Sequence, residues 1–171
     1  MPFAPLSFPL VARLRRNHAL EHATIHVLSQ RYQDLNVVGR STLNGFILYG
    51  DLPTEGVLLA AQHALQRLQA GRRDLAVHPS CGTNLAASGI LSGLGTFAAL
   101  SSRRKEGWKD WLSRLPLVLL VATTGVILGQ RLGMVLQAHL TTDPNVDQVQ
   151  IAGVVREERG PLIAHQVKVK G

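Results

Sequence analysis

Three histidines and one glutamate lie within nine residues near the start of the chain: His18, Glu21, His22 and His26. On a helix, His18 and His22 are one turn apart on one face, and Glu21 lies at its edge. The order His-x-x-Glu-His is that of the inverted zinc metallopeptidases, in which two imidazoles bind the metal and the glutamate activates water. We therefore predict that His18 and His22 are metal ligands and that Glu21 is the catalytic general base. His26 lies about 80° round the helix from His18, so we expect it to support a ligand rather than bind the metal.

A second group of metal-binding side chains follows later in the chain, where His78 and Cys81 are separated by two residues. Both can bind one metal across a turn, which the proline and glycine beside them would shape. The two helix histidines with His78 or Cys81 supply three ligands and leave the open position that a catalytic zinc needs for water. Thr83 or Asn84 would then donate to a developing oxyanion. The predicted cofactor is a divalent metal, zinc.

The first 80 residues have the pattern of a small α+β unit that would hold these side chains. Apolar residues on both sides of the first helix predict that it is buried or lies against lipid. Asn44-Gly45 is a preferred two-residue hairpin turn before a strong strand. The predicted order is α-β-β-α-β, with a helix over residues 9–31, a hairpin over 37–51, a helix over about 54–70 and a strand over 74–78.

Two long uncharged stretches follow and predict a transmembrane helical hairpin over residues 81–138. Residues 79–102 and 115–129 contain no charged side chain, and apolar residues resume after Arg131. Each stretch can reach the roughly 20 residues that a membrane-spanning helix needs. The basic, tryptophan-containing segment 103–114 would be a loop at the lipid interface. Two buried helices of a soluble bundle are the alternative.

Glycines at four-residue spacing recur in both stretches and predict close helix packing. Such steps let helices in lipid approach closely. We predict that these glycines form the contact between the two helices and a surface for a membrane-protein partner or a second copy. The glycines are Gly89, Gly93, Gly125, Gly129 and Gly133. After the hairpin, residues 139–171 are β-like, and we expect them to form a second hairpin that packs on the first unit and extends its sheet.

The charge balance indicates the kind of partner. The net charge is +7, but only eight aromatic residues are present and they do not alternate with basic ones, so we expect contact with the lipid bilayer and none with nucleic acid. Hydrophobic residues make up 46% of the chain and charged residues 17%, which favours a membrane protein. We predict a two-span protein of the bacterial cytoplasmic membrane, with no cleaved signal peptide and its orientation undetermined.

Three ordered segments resemble the YqhQ-like family of bacterial membrane proteins, described as predicted metal-dependent enzymes. The alternative is a shorter sister family of unknown function, because this chain is shorter and its tail is strand-like. The resemblance implies a membrane protein with a metal site and supplies no substrate. The matching residues are His18, Glu21, His22 and Ile25; His78, Pro79, Cys81, Gly82 and Thr83; and, with an offset, Leu136, Gln137, Thr141, Thr142, Pro144 and Gln148.

Two functions remain open on the sequence. The first is a metal-dependent hydrolase anchored at the membrane surface. The alternative is a non-catalytic assembly or scaffold protein whose glycine-rich hairpin binds partner helices. The remaining histidines have no metal-binding companions, and we expect them at the surface or at boundaries: His63, His139 and His165.

Overall fold

The computed structural model describes residues 8–101, 112–160 and 162–171, so most of the predicted interfacial loop lies outside the described residues. The fold is α+β, as predicted. The chain forms two compact units, one containing Met1–His78 and Gln137–Gly171 and the other Pro79–Leu136.

The first unit places two helices on a four-stranded antiparallel sheet. Its apolar core brings together α1, α2 and the inner face of the sheet, with Leu20, Phe46 and Val57 wholly buried. The strand order β1-β2-β4-β3 confirms that the C-terminal hairpin extends the sheet. The elements are α1 (Pro9–Arg31), β1 (Val38–Thr42), β2 (Gly45–Tyr49), α2 (Thr54–Gln69), β3 (Gln150–Arg159) and β4 (Leu162–Lys170).

The first hairpin forms where predicted, but its turn is displaced by one residue. Thr42 pairs with Gly45, so the two-residue connection is Leu43-Asn44 and Gly45 begins β2. Gly45 has φ 135°, and a Cβ there would meet the Val167 carbonyl of β4. Glycine is therefore required for the close approach of two strands rather than for the turn itself.

The strand predicted over residues 74–78 is wrong, because Arg73–Ala76 form a 3-10 turn. Leu75 and Ala76 are 5% and 2% exposed, so the turn buries its apolar side chains. The backbone carbonyls of Ala76 and Val77 contact histidine side chains of α1 instead of a neighbouring strand. Side-chain donors thus satisfy the carbonyl groups that a strand ladder would otherwise have used.

His165 is a second correction, because it is completely buried in β4 rather than at the surface. It lies opposite Leu48 of β2 and Arg156 of β3. Burial, and then the charge of Arg156, lower the pKa of His165 below its usual 6.5. The folded state therefore favours the neutral ring.

This burial predicts acid sensitivity. The folded pKa lies below the unfolded one, so the stabilisation from neutral His165 is present above about pH 6.5 and is lost as pH falls towards the folded pKa. Thermal unfolding in detergent should show a lower midpoint at pH 5 than at pH 7.5, and a smaller drop in His165→Gln. His63→Gln, at an exposed position of α2, should keep the full drop. An unchanged pH dependence in His165→Gln would contradict the assignment.

The second unit is a pair of packed helices, α3 (Gly82–Ser101) and α4 (Leu115–Leu136). Both helices are long and apolar enough to cross a membrane, and the second apolar stretch continues to Thr141. Added Cβ atoms at three glycines of α4 would meet α3 at or beside Ser92, Ser88 and Asn84; the glycines are Gly125, Gly129 and Gly133. The predicted Gly89–Gly93 step does not take part, since added Cβ atoms at either glycine would meet nothing within 4 Å.

Candidate metal centre

The middle of α1 is buried on nearly all sides, which removes its polar side chains from solvent. Every residue from Asn17 to Leu28 is buried except His18 and His26, which are partly buried. His22 is only 2% exposed. A buried imidazole needs partners for its ring nitrogens, so the contacts of these histidines define what they can bind.

His18 and His22 share one face of α1, as the spacing predicts. Their ring centroids are 4.3 Å apart, and ring nitrogens of the two residues lie within 4.8 Å of one another. His18 Nδ1 donates to the Thr141 carbonyl at 3.0 Å, and His22 Nδ1 donates to the Ala76 carbonyl at 2.8 Å. A carbonyl oxygen only accepts, so Nδ1 carries the hydrogen and the neutral ring presents its lone pair at Nε2. Metal-binding histidines are commonly held in this way.

His78 and His26 continue the cluster. The His78 ring lies 5.9 Å from that of His22 and 4.8 Å from that of His26, between centroids. His26 Nε2 donates to the Val77 carbonyl at 2.9 Å, so this side chain fixes the backbone beside His78. Burial, followed by the charges of His26 and His22, lowers the pKa of His78 to about 4. At neutral pH His78 is therefore in the neutral form that binds metals.

The segment after α4 contacts two members of the histidine cluster, His18 through the Thr141 carbonyl and His78 through Gln137. Gln137 is wholly buried, and its Oε1 accepts the backbone N–H of His78 at 2.9 Å. The Gln137 carbonyl in turn accepts from Thr142 Oγ1 at 2.8 Å. Gln137 and the Thr141 carbonyl were not predicted to hold the histidines. The only sequence signal for them was the third segment of the family resemblance.

Glu21 faces the strands rather than the 3-10 turn. It is 5% exposed, and its Oε2 accepts a hydrogen bond from Ser41 Oγ of β1. Asn17, one turn earlier, also contacts the first hairpin, through Nδ2 to the Thr42 carbonyl at 2.8 Å. The structure thus places the predicted base against β1, while His18 and His22 bond to other segments.

Gly39 leaves the space that the Glu21 carboxylate occupies. A Cβ on Gly39 would overlap Glu21 at Oε1, Cδ and Cγ. We expect Gly39→Ala to lower the free energy of unfolding by about 1–3 kcal/mol, because the added methyl group would overpack the buried Glu21 side chain. Chemical unfolding in detergent measures this. Gly89→Ala, in open space on α3, should change stability little or increase it, and an unaltered Gly39→Ala protein would contradict the packing.

Cys81, Thr83 and Asn84 belong to the second unit. Cys81 is partly buried, and its Sγ accepts the backbone N–H of Thr83 at 3.5 Å. Asn84 Nδ2 donates to the Pro79 carbonyl at 2.7 Å and contacts Met134 Sδ at 3.4 Å. Both contacts of the Asn84 amide lie within the second unit, so they support its packing.

Comparison with known proteins gives the family. A family model described as a domain of unknown function (DUF6391) matches residues 13–154. The chain belongs to the DUF6391 family. An uncharacterised protein of Picosynechococcus sp. is 34% identical over 142 residues, covering 75% of this chain. The chain spans 65% of the length of that relative. No solved structure matches the DUF6391 chain.

The DUF6391 match covers all three segments that carry the resemblance described above. It fits the predicted alternative, a family of unknown function, and lends no support to the YqhQ-like name. The function of this DUF6391 protein therefore has to be inferred from its own side chains.

Proposed function

We propose that this DUF6391 protein is a membrane-anchored zinc-binding protein, with His18, His22, His78 and Cys81 as the ligands. The observation that carries the proposal is the pair of Nδ1–H bonds to the Thr141 and Ala76 carbonyls. They orient the Nε2 lone pairs of neighbouring rings on one helix face. Both rings therefore have Nε2 as the nitrogen that can bind a metal.

Cys81 is proposed as the sulfur ligand from its place in the chain. It follows His78 by three residues. Three residues of extended chain span at most about 11 Å, so the thiol stays within reach of a metal at His78. Imidazole with thiolate is a ligand set that suits zinc, which tetrahedral sites bind through nitrogen and sulfur.

Membrane anchoring through α3 and α4 is the second part of the proposal. Only 17% of the most apolar 18 residues of α3, and 11% of those of the second apolar stretch, are buried. A core helix of a soluble protein would be mostly buried, so these exposed apolar surfaces favour lipid as their surroundings. The basic composition is compatible with a surface of anionic lipid.

Hydrolysis at the membrane surface extends this proposal and needs two more features. One ligand position must be open for water, and a base must reach that water. Four protein ligands would close the zinc site, whereas three would leave the required position. Glu21 is the predicted base, and its contact with Ser41 means that a metal-bound water would have to lie towards β1.

A scaffold function is the second candidate, and one observation favours it. Gly89 and Gly93 present a small-residue step to open space, while the glycines of α4 are used within the hairpin. Such a step suits a partner helix or a second copy in the membrane. If the Gly93→Leu variant associates more weakly with a second copy or a partner helix but still binds zinc, the scaffold function is favoured.

Zinc titration of the full chain tests the leading proposal. Protein purified in detergent and stripped with a chelator should bind one equivalent of zinc at pH 7.5, in competition with a chromophoric chelator. Extraction from membranes should require detergent. The zinc site would be refuted if the protein bound no stoichiometric metal. Membrane anchoring through α3 and α4 would be refuted if salt alone released the protein from membranes.

A further inference from the structure

The first two turns of α1 project from the core of the first unit. No residue before Asn17 in the described part of α1 is buried. Residues 9–16 therefore extend about 12 Å beyond the buried part of the helix. Large apolar side chains lie exposed along this projection, most of all Phe8 and Leu10; the exposed fractions are Phe8 66%, Leu10 63%, Val11 38% and Leu14 40%.

This projection lies beside the end of the second apolar stretch. The Arg15 guanidinium donates to the His139 carbonyl at 3.1 Å and to the Thr142 carbonyl at 2.9 Å. The Arg15 carbonyl accepts the backbone N–H of Asp143 at 3.1 Å. The candidate span ends at Thr141, so Arg15 is fixed at the point where the chain would leave the bilayer.

The charges of the projection have one sign. Residues 8–20 contain Arg13, Arg15 and Arg16 and no acidic residue. The Arg72–Asp74 and Arg156–Glu158 ion pairs both lie outside residues 8–16. Arginines flanking exposed apolar side chains are the pattern of a helix in the interface of an anionic membrane.

We infer that residues 8–16 form an interfacial anchor that binds anionic phospholipid. The apolar side chains enter the acyl boundary, and Arg13 and Arg16 contact headgroup phosphates. This inference rests on the proposed membrane anchoring by α3 and α4. It places His18 one helical turn beyond Leu14, so the histidine cluster begins close to the headgroups.

Spin labels at three positions test the anchor in the full chain. Single cysteines are introduced by Leu10→Cys, Val38→Cys and Leu94→Cys in a Cys81→Ser background, and the proteins are placed in nanodiscs of mixed anionic and zwitterionic phospholipid. Collision with oxygen reports hydrocarbon, and collision with a water-soluble nickel chelate reports water. Val38, 64% exposed on edge strand β1, is the matched control for Leu10, and Leu94, 63% exposed on α3, reports the span.

The Leu10 and Leu94 labels should favour oxygen severalfold over nickel, and the Val38 label should show the reverse. A water-exposed Leu10 label beside a lipid-exposed Leu94 label would overturn the anchor and leave the spans standing. A water-exposed Leu94 label would refute the membrane anchoring itself. A Leu10 label shielded from both reagents would indicate a protein contact and also overturn the anchor.

Lipid charge is tested with the same Leu10 label. In purely zwitterionic nanodiscs, or with Arg13→Gln and Arg16→Gln in anionic ones, the label should become shallower. Each arginine near an anionic surface favours binding by roughly fivefold, corresponding to about 1 kcal/mol. An unchanged depth in both experiments would overturn the assignment of anionic phospholipid as the ligand.

Discussion

His22→Ala should abolish stoichiometric zinc binding, weakening the affinity on the order of 100-fold or more. His22 is the most deeply buried of the four proposed ligands of this DUF6391 protein, and its Nδ1–H bond to Ala76 fixes the direction of its lone pair. Loss of a ligand should exceed the 10- to 100-fold typical of losing a supporting hydrogen bond. Competition titration with a chromophoric chelator measures the change.

Two comparisons separate ligand loss from unfolding. The variant also leaves the Ala76 carbonyl without its buried donor, so the metal-free protein should lose about 1–3 kcal/mol of stability. Circular dichroism should nevertheless show retained helix and strand. His63→Ala, at an exposed position of α2, should bind zinc normally. A folded His22→Ala protein with unaltered zinc affinity would exclude His22 as a ligand.

Gly129→Leu should disrupt the hairpin of α3 and α4. Its new side chain would enter the backbone of Ala87 and Ser88, which cannot move without separating the helices. The Ser88 hydroxyl also bonds to the Val126 carbonyl at 3.1 Å, a contact that needs the same close approach. We expect a loss of about 3 kcal/mol or more, beyond ordinary overpacking, measured by denaturant unfolding in detergent.

Gly93→Leu is the matched control, because it adds the same side chain to α3 where an added Cβ meets nothing within 4 Å. Its stability should stay within about 1 kcal/mol of the parent, since leucine is the better helix former. Equal destabilisation by both substitutions would contradict the observed helix pairing and would implicate backbone flexibility instead.

Local patterns predicted much of this fold. Hydrophobic periodicity and uncharged length identified α1, α2 and the two apolar helices. Alternation in the tail identified the second hairpin, and four-residue spacing placed His18 and His22 on one face. Each of these patterns depends only on residues within one helix or hairpin, so contacts with distant parts of the chain did not change the predicted structure.

The failures arose where a distant partner decides the local structure. Residues 74–78 have strand-like alternation, but His22 and His26 bond to their carbonyls and Leu75 packs inwards, so a 3-10 turn forms. Glycine spacing did not reveal which face of α3 packs against α4, and Gly89 lies on a face of α3 that does not contact α4. His165 had no local signal for burial, because its position in β4 follows from pairing with two separate strands.

Zinc-edge X-ray absorption on the zinc-loaded full chain tests the central claim most directly. We predict imidazole scattering from at least two rings together with one sulfur at about 2.3 Å, in a four-coordinate shell. Cys81→Ser should remove the sulfur, and His22→Ala should remove zinc. A shell made only of oxygen, or a chain that takes up no zinc, would contradict the metal centre.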